Sequence, residues 1–371
     1  MFNDMCNIIF KMALAHEPAA RKDEILEFYI CRVLLIICVV FEHAVTQYLP
    51  NLQYGGLFYD EALWKMNLGD SPLHLCFVKV VLFTQNFTMA SFFAISGVLF
   101  FYGIEKRRYE SFVKFVRSRT TRFLIPFFVI NLFYNIPIKF ATGYFDRCPN
   151  LWNAIVRGQI LLEGNNYLWF LWAMFLVQIM CWLLERCITL HYSVKLILVI
   201  LLHLSRFTLG NSLSYTAMEN LLWFYLGFLF AAKREECYCW IVTHKFYTPL
   251  SLFLLITLQL VKSKYPSLGL VIYLMQHLSG MYFVYSFSVL FVKFARCNIV
   301  RLIADNGLAI YIYSDPLNYA ILNIVVLVFG VRCFCNNLYA AFILIFRFFV
   351  TLLIPLLIAK VLRHFKVKYI V

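Results

Sequence analysis

The chain has 371 residues, of which 63% are hydrophobic and 14% are charged. Soluble proteins carry about 25% charged residues, so this composition excludes an ordinary soluble enzyme and indicates a polytopic membrane protein. A net charge of +14 would suggest nucleic-acid binding in a soluble domain, but here the basic residues lie mostly between apolar segments, where they set membrane topology. We therefore expect membrane lipids, and no nucleic acid, among its partners.

Ten apolar segments of about 20 residues follow a polar N-terminal stretch. Residues 1–26 are predicted to be a cytosolic N-terminal segment without a cleavable signal peptide. The apolar segments are predicted at 27–49, 76–103, 121–142, 167–186, 193–210, 213–232, 247–262, 268–293, 307–330 and 338–361. The sequence therefore predicts an all-α, polytopic membrane helical bundle of about ten transmembrane helices, with residues 27–371 forming a single transmembrane domain.

The distribution of Lys and Arg predicts the orientation of these helices. The loop after the second segment, around residues 104–120, is strongly basic, and so is the C-terminal tail 360–371. The loops on the opposite side, including 50–75 and 143–166, contain fewer basic residues. Both termini are therefore predicted to be cytosolic, and loops 50–75 and 143–166 to face outward.

The cysteines predict neither a disulfide scaffold nor a metal site. Most of the 12 lie inside apolar segments, where Cys behaves as a small hydrophobic residue. No zinc-ligand spacing, Gly-rich phosphate loop or carboxylate dyad is present in the sequence. We therefore expect no metal and no permanently bound cofactor.

The first apolar segment carries Arg32 and His43, eleven residues apart. On a helix, eleven residues at about 100° each return to within about 20° of the starting direction, roughly 16 Å along the axis. Arg32 can be an interfacial residue whose side chain reaches the headgroups, or an anchor for a phosphate-bearing cytosolic ligand. His43 can be a hydrogen-bonded core residue, or a general base or acyl carrier. The shared helix face favours the functional alternatives.

Two further motifs lie at the second and third segments. Residues 92–97 read FFAISG, a small-residue pattern that allows helices to approach closely. Arg119 and Arg122 lie three residues apart, which predicts a common helix face at the start of the third segment. They can set topology and contact anionic lipids, or they can clamp a phosphate group, because guanidinium groups match phosphate oxygens.

In this order the motifs resemble those of the acyltransferase-3 family of integral membrane O-acyltransferases. That family begins with an Arg, ten residues and a His, matched by Arg32 and His43. An FFxxSG run follows, matched by residues 92–97, and then spaced Arg residues before a Pro, matched by Arg119, Arg122 and Pro126. Weaker matches are LWFL at 168–171, FYLG at 224–227 and NGLAIY at 306–311. The resemblance covers most of the chain and includes the predicted helix count.

The chain departs from the family pattern at two places. Several members carry a His before the Phe-Phe run, where this chain has Met89. Many have a His-Pro pair after the ninth-helix Ile-Tyr, whereas here Asp315 precedes the proline. Asp315 is predicted at a depth similar to that of His43, so it can orient and charge-stabilise that imidazole, or it can be a kink residue that faces water. Arg347 is a candidate partner for an acid such as Asp315 or Glu219.

The resemblance implies a membrane-bound O-acyltransferase that moves an acyl group, most often acetyl, from cytosolic acyl-CoA to a hydroxyl of a cell-surface or lipid-linked saccharide. It implies His43 as general base or acyl relay. Asp315, where the chain departs from the family pattern, is the candidate catalytic partner of His43 because of its similar predicted depth. The residues implied for binding acyl-CoA, a co-substrate, are Arg32, Arg119 and Arg122. Those implied for binding substrate are Ser96 and Trp169. The implied location is the bacterial cytoplasmic membrane.

The rival interpretation is a non-catalytic membrane transporter or exporter of a glycan or glycan precursor. Ten helices, aromatic outer loops and buried charges suit such a protein as well. The Arg32–His43 pair favours the enzyme, because a transporter has no need for a base on the same helix face as a phosphate anchor. Direct transfer and an acyl-histidine relay both remain open.

Overall fold

The computed structural model describes residues 25–45, 54, 72–106, 109, 111–146, 148–164, 166–208, 213–330 and 337–365. Within these residues the regular secondary structure is helical, as predicted, and no strand is present. We number the principal helices in chain order as α1 Glu27–Val45, α2 Pro72–Glu105, α3 Phe112–Ala141, α4 Trp169–Cys187, α5 Tyr192–Ser205, α6 Leu213–Ala231, α7 Arg234–Thr243, α8 Tyr247–Lys264, α9 Gly269–Leu290, α10 Asn298–Asp305, α11 Gly307–Phe329 and α12 Asn337–His364. Residues 1–24 of the predicted N-terminal segment and most of the predicted outer loop 50–75 lie outside the described residues.

Six of the described helices are long and apolar enough to cross a membrane, namely α1, α2, α3, α4, α11 and α12. A seventh span is added if α7 and α8, which meet at 95°, form one broken span. Each of the ten predicted segments coincides with a described helix, but α5 has 14 residues, fewer than the roughly 20 that a span needs. Polar residues such as Glu219 in α6 and Gln276 in α9 lower the hydropathy of those helices. The chain is therefore an integral membrane protein, while ten spans and cytosolic termini stay predictions.

Helix α3 begins earlier than the sequence pattern predicts. It starts at Phe112 and not near residue 121, because Arg119 continues the helix instead of ending a loop. Two π-helical turns interrupt it, at Thr120–Leu124 and Asn131–Asn135. Such turns are rare insertions into α-helices, and they change which side chains share a face.

Helix α7 replaces a predicted cytosolic loop. The basic residues at 233–234 predict a loop, yet Arg234–Thr243 is helical and contains Cys239, which is buried. Tyr238 and Ile241 of this helix pack in one apolar cluster with Val289 of α9. Burial of this apolar stripe stabilises a helix whose composition alone suggests a solvated connection.

The chain divides into two compact units that alternate along the sequence. The first contains the described residues within 1–35, 83–106 and 223–305, and the second those within 36–82, 107–222 and 306–371. Helix α1 contributes residues to both units, with Arg32 in the first and His43 in the second.

In the first unit, two of the sequence motifs pack directly on each other. A side chain at Gly97, in the FFAISG motif of α2, would overlap the backbone of Phe224 in the FYLG motif of α6. A side chain at Gly227 would likewise overlap the backbone of Ala94. Both glycines thus allow backbone-to-backbone contact between α2 and α6, which is the packing that small residues provide in membranes.

In the second unit, α12 packs along α11 and directs a buried arginine toward it. Arg347 Nε donates a hydrogen bond of 3.2 Å to Asn318 Oδ1, one turn beyond Asp315. Glu219, the other proposed partner of Arg347, instead lies 3.6 Å from Arg206 Nη1. The buried guanidinium group of Arg347 in α12 is therefore bonded to a side-chain amide oxygen of α11.

The second unit also joins parts of the two predicted outer loops at Tyr54. The Tyr54 hydroxyl donates a 2.7 Å hydrogen bond to Glu163 Oε2, and Arg157 Nη2 lies 2.8 Å from the same oxygen. The Tyr54 side chain packs against Gly158 and Gly164, where an added Cβ would lie 3.1 and 2.9 Å from Tyr54 Cβ. The hydrogen bonds from Tyr54 and Arg157 hold the pKa of Glu163 below its ordinary value.

Candidate active site

His43 and Asp315 form a buried pair in the second unit. His43 lies in the last turn of α1 and Asp315 in α11, and His43 Nδ1 lies 3.0 Å from Asp315 Oδ1. The two side chains are 10% and 6% exposed. The similar depths predicted for His43 and Asp315 are therefore accompanied by a direct contact between the two side chains. An imidazole next to a carboxylate in a low-dielectric site is strongly oriented, because charge interactions are little screened there.

The contact assigns the two ring nitrogens of His43 to different tasks. Nδ1 lies 3.0 Å from the carboxylate outside hydrogen-bond geometry, and this proximity favours the neutral tautomer with its proton on Nδ1 and its lone pair on Nε2. Nε2 is then the atom that can accept a proton or attack a carbonyl carbon. The arrangement is that of the His and Asp members of an acyl-transfer triad.

Asp315 lies on a turn of α11 that contains a proline. Pro316 lies inside the helix, directly after Asp315. Two tyrosine hydroxyls donate to carbonyls just before it: Tyr167 to Ile312 O at 2.6 Å, and Tyr134 to Tyr313 O at 3.0 Å. Side chains of other segments therefore satisfy backbone carbonyls of the helical turn that presents the carboxylate.

Tyr167 also forms one wall of the His43 site. Its ring meets the imidazole edge-on, with centroids 6.3 Å apart and an interplanar angle of 82°. Tyr167 is buried, and its backbone carbonyl accepts a hydrogen bond from the hydroxyl of Tyr311. Tyr167 is therefore held between the imidazole of His43 and a turn of α11.

The two arginines at the start of α3 have different environments. Arg119 is 7% exposed; its Nη1 donates to Gln178 Oε1 at 3.0 Å and its Nη2 to the Tyr109 hydroxyl at 3.2 Å. Arg122 is exposed. The π-helical turn that begins at Thr120 changes the i,i+3 geometry, so the common environment that the spacing predicts is not found.

The other predicted site residues are Arg32, Ser96 and Trp169, each of which is half-buried. Arg32 is half-buried in the first unit, with its guanidinium carbon 6.0 Å from the centroid of the Tyr29 ring. Ser96, also in the first unit, is half-buried beside the closely packed Gly97. Trp169 is half-buried at the first residue of α4, two residues after Tyr167, and its ring contacts Phe170. Within the second unit, the described contacts bring His43 and Asp315 together.

A buried polar cluster near the end of α3 is absent from the sequence-based prediction. Lys139 is fully buried; its Nζ donates to Gln159 Oε1 at 2.9 Å and lies 4.5 Å from the centroid of the Tyr144 ring. Asn135 and Asn131 continue the cluster through a 2.8 Å hydrogen bond. Lys139 lies close to the end of the predicted segment 121–142, where a Lys normally extends toward the headgroups. The position of Lys139 in the sequence therefore fits an interfacial lysine equally well, and it does not indicate that the side chain is buried.

Within the described residues, no group of three or more His, Cys, Asp or Glu side chains is arranged to hold a metal ion.

Comparison with known proteins identifies the family. The family model described as an acyltransferase domain, that of the acyltransferase-3 family, matches residues 25–360. No curated protein and no solved structure matches the chain. The matched range contains α1 with Arg32 and His43, Arg119 and Arg122 of α3, and Asp315 in α11. The chain belongs to the acyltransferase-3 family of membrane acyltransferases.

Proposed function

We propose that this protein is an O-acyltransferase that transfers an acyl group, acetyl in the first instance, from cytosolic acyl-CoA to a hydroxyl group of a cell-surface or lipid-linked saccharide. The observation that carries the proposal is the 3.0 Å contact between His43 Nδ1 and Asp315 Oδ1 inside a chain of the acyltransferase-3 family. Burying ionisable side chains in a membrane protein costs free energy, so the presence of such a pair supports a functional role for it.

The proposed chemistry begins at His43 Nε2. In the direct route, Nε2 takes the proton of the acceptor hydroxyl as its oxygen attacks the thioester carbonyl, the C–S bond breaks, and the CoA thiolate receives a proton. In the relay route, Nε2 attacks the thioester carbonyl carbon, the C–S bond breaks, and the CoA thiolate leaves and takes a proton from solvent. The acceptor hydroxyl then attacks the acyl-imidazolium, loses its proton to solvent, and the C–N bond breaks to return the neutral imidazole. Asp315 stabilises the imidazolium of the direct route and fixes the tautomer needed for both routes.

The donor is proposed to bind through its phosphate groups on the predicted cytosolic side. Arg32 and Arg122 are proposed contacts for these phosphates, because their side chains are half-buried and exposed, respectively. Arg119 is proposed to support this region, since its guanidinium already donates to Gln178 and Tyr109. Ser96 and Trp169 are proposed to contribute to substrate binding, and the bacterial cytoplasmic membrane is the proposed location.

Acyl-CoA consumption by the purified protein in proteoliposomes tests the proposal. We expect release of free CoA that depends on an added hydroxyl acceptor, and loss of this release in His43→Gln. His203→Gln is the matched control, because His203 is also buried but contacts the backbone of Glu219 and the side chain of Arg206. A wild-type protein that moves a glycan across the bilayer without consuming thioester would instead support the transporter.

A further inference from the structure

Tyr167 contacts His43 and the helical turn that carries Asp315. Its ring packs edge-on against the imidazole of His43. Its hydroxyl donates to the carbonyl of Ile312, three residues before Asp315. One side chain thus reaches the imidazole and the backbone that carries the carboxylate.

The carbonyl that Tyr167 contacts is the one that Pro316 leaves without a helical donor. In an α-helix the carbonyl of residue i accepts from the N–H of residue i+4, and Pro316, four residues after Ile312, has no N–H. A buried carbonyl without a donor is costly, so it needs a substitute. The Tyr167 hydroxyl, 2.6 Å away, is that substitute.

The attachment is reciprocal. The hydroxyl of Tyr311, in the same helical turn as Ile312, donates back to the carbonyl of Tyr167. The rings of Tyr167 and Tyr311 also pack together, with centroids 5.9 Å apart. The segment before α4 and the kinked turn of α11 are therefore tied at two points, and Asp315 lies on that turn.

We propose that Tyr167 is a positioning residue for acyl transfer. Its hydroxyl fixes the proline-interrupted turn that presents Asp315, and its ring fixes the plane of the His43 imidazole. The proposal rests on the proposed function. A positioning role of Tyr167 is expected to affect the rate of transfer, because a misplacement of reacting groups by about 1 Å costs roughly a hundredfold in rate.

The first test compares Tyr167→Phe with Tyr134→Phe in the proteoliposome assay. Both variants remove one hydroxyl from a carbonyl of the same turn, but Tyr134 contacts Tyr313 O, whose helical donor, the amide of Leu317, is present. We expect Tyr167→Phe to lower kcat about tenfold to a hundredfold with the donor KM unchanged. We expect Tyr134→Phe to stay within about threefold of wild type. Equal losses in the two variants, or a Tyr167→Phe enzyme with wild-type kcat, would overturn the proposal.

The second test is a double-mutant cycle between Tyr167→Phe and Pro316→Ala, read as the unfolding temperature in detergent. Alanine restores the N–H that can donate to Ile312 O, so Tyr167→Phe is expected to destabilise the wild type more than the Pro316→Ala protein. Equal effects in the two backgrounds would overturn the assigned hydrogen bond. If Pro316→Ala does not accumulate, the comparison of Tyr167→Phe with Tyr134→Phe decides alone.

The two tests separate the possible failures. A wild-type protein without transferase activity overturns the proposed function, and the positioning role falls with it, whatever the cycle shows. Normal wild-type activity with no kcat loss in Tyr167→Phe overturns only the positioning role.

Discussion

Arg119 Nη1 donates a 3.0 Å hydrogen bond to Gln178 Oε1, so the guanidinium group of Arg119 in α3 is attached to α4. Its guanidinium carbon also lies 4.9 Å from the centroid of the Tyr109 ring. Arg122, three residues later, is exposed. The family motif with two arginines therefore combines one residue that holds helices together with one that faces outward from them.

This division predicts opposite phenotypes for the two arginines. Arg119→Lys is expected to lower the free energy of unfolding by about 1.5–3 kcal/mol, because an ammonium group cannot reproduce the paired contacts to Gln178 and Tyr109. Arg122→Ala is expected to leave the unfolding temperature nearly unchanged and to raise the donor KM about tenfold to a hundredfold. Thermal unfolding and donor titration measure the two effects. An Arg122→Ala enzyme with wild-type donor KM would remove Arg122 from the donor site.

Replacing either member of the His43–Asp315 pair is expected to lower transfer strongly without unfolding the protein. His43→Gln and Asp315→Asn are each expected to lower turnover by about 10²–10⁴, since they remove the general base or its orienting carboxylate. Asp305→Asn is the matched control for the acid, because Asp305 is exposed. Turnover and chromatographic homogeneity are measured together. Asp315→Asn with more than about a tenth of wild-type turnover contradicts the assigned role.

The Tyr54–Glu163–Arg157 contact predicts a dependence of stability on pH. The hydrogen bond from Tyr54, followed by that from Arg157, lowers the folded-state pKa of Glu163. A carboxylate with a lowered folded pKa stabilises the protein above its unfolded pKa, about 4.3, and loses this contribution as the pH falls through the folded value. Wild type is therefore expected to unfold at a higher temperature than Glu163→Gln at neutral pH, and at nearly the same temperature in strong acid. A difference independent of pH would show that the charge of Glu163 is not involved.

The close contact between α2 and α6 predicts intolerance of side chains at its glycines. Gly97→Ala places a Cβ against the backbone of Phe224, and neither can move aside easily. Overpacking of this kind costs about 1–3 kcal/mol or more, so we expect a lower unfolding temperature and poor membrane accumulation. Gly269→Ala is the control, because a Cβ there meets no atom within 4 Å. Comparable behaviour of the two variants would argue against the close packing.

Membrane topology can be tested at described positions. The Lys and Arg bias predicts that Lys106 faces the cytosol and that Glu163 faces outward. On a background with the 12 cysteines replaced, Glu163→Cys is expected to react with a membrane-impermeant thiol reagent in intact cells, and Lys106→Cys only after permeabilisation. The reverse labelling pattern would invert the orientation.

The parts of this site that the sequence predicts are those that depend on one helix or on comparable depth. Arg32 and His43 lie on one helix, so residue spacing alone relates them. The predicted depths of His43 and Asp315 are similar, which predicts that the two residues lie close together, and the contact is confirmed. The sequence also contains Pro316, which lacks an N–H, so the carbonyl of Ile312 is predicted to need another hydrogen-bond donor.

The parts that the sequence does not predict depend on which segments pack together. Nothing in the chain indicates that Tyr167, among 23 tyrosines, supplies the hydroxyl for Ile312 O. The difference between Arg119 and Arg122 depends on a π-helical turn, which no local signal marks. Helix α7 is stabilised by apolar contacts with α9, which its own sequence does not indicate. Its basic N-terminal flank predicts a loop instead.

The burial of Lys139 has a consequence for an enzyme that handles activated acyl groups. A free lysine amine is itself a good acyl acceptor and would compete with any hydroxyl for a thioester. Here Nζ donates to Gln159, and the rings of Tyr144 and Tyr319 lie 4.5 and 5.5 Å away, with the side chain fully buried. We therefore expect the Lys139 amine to be a poor acyl acceptor, which would limit acylation of the protein by its own donor.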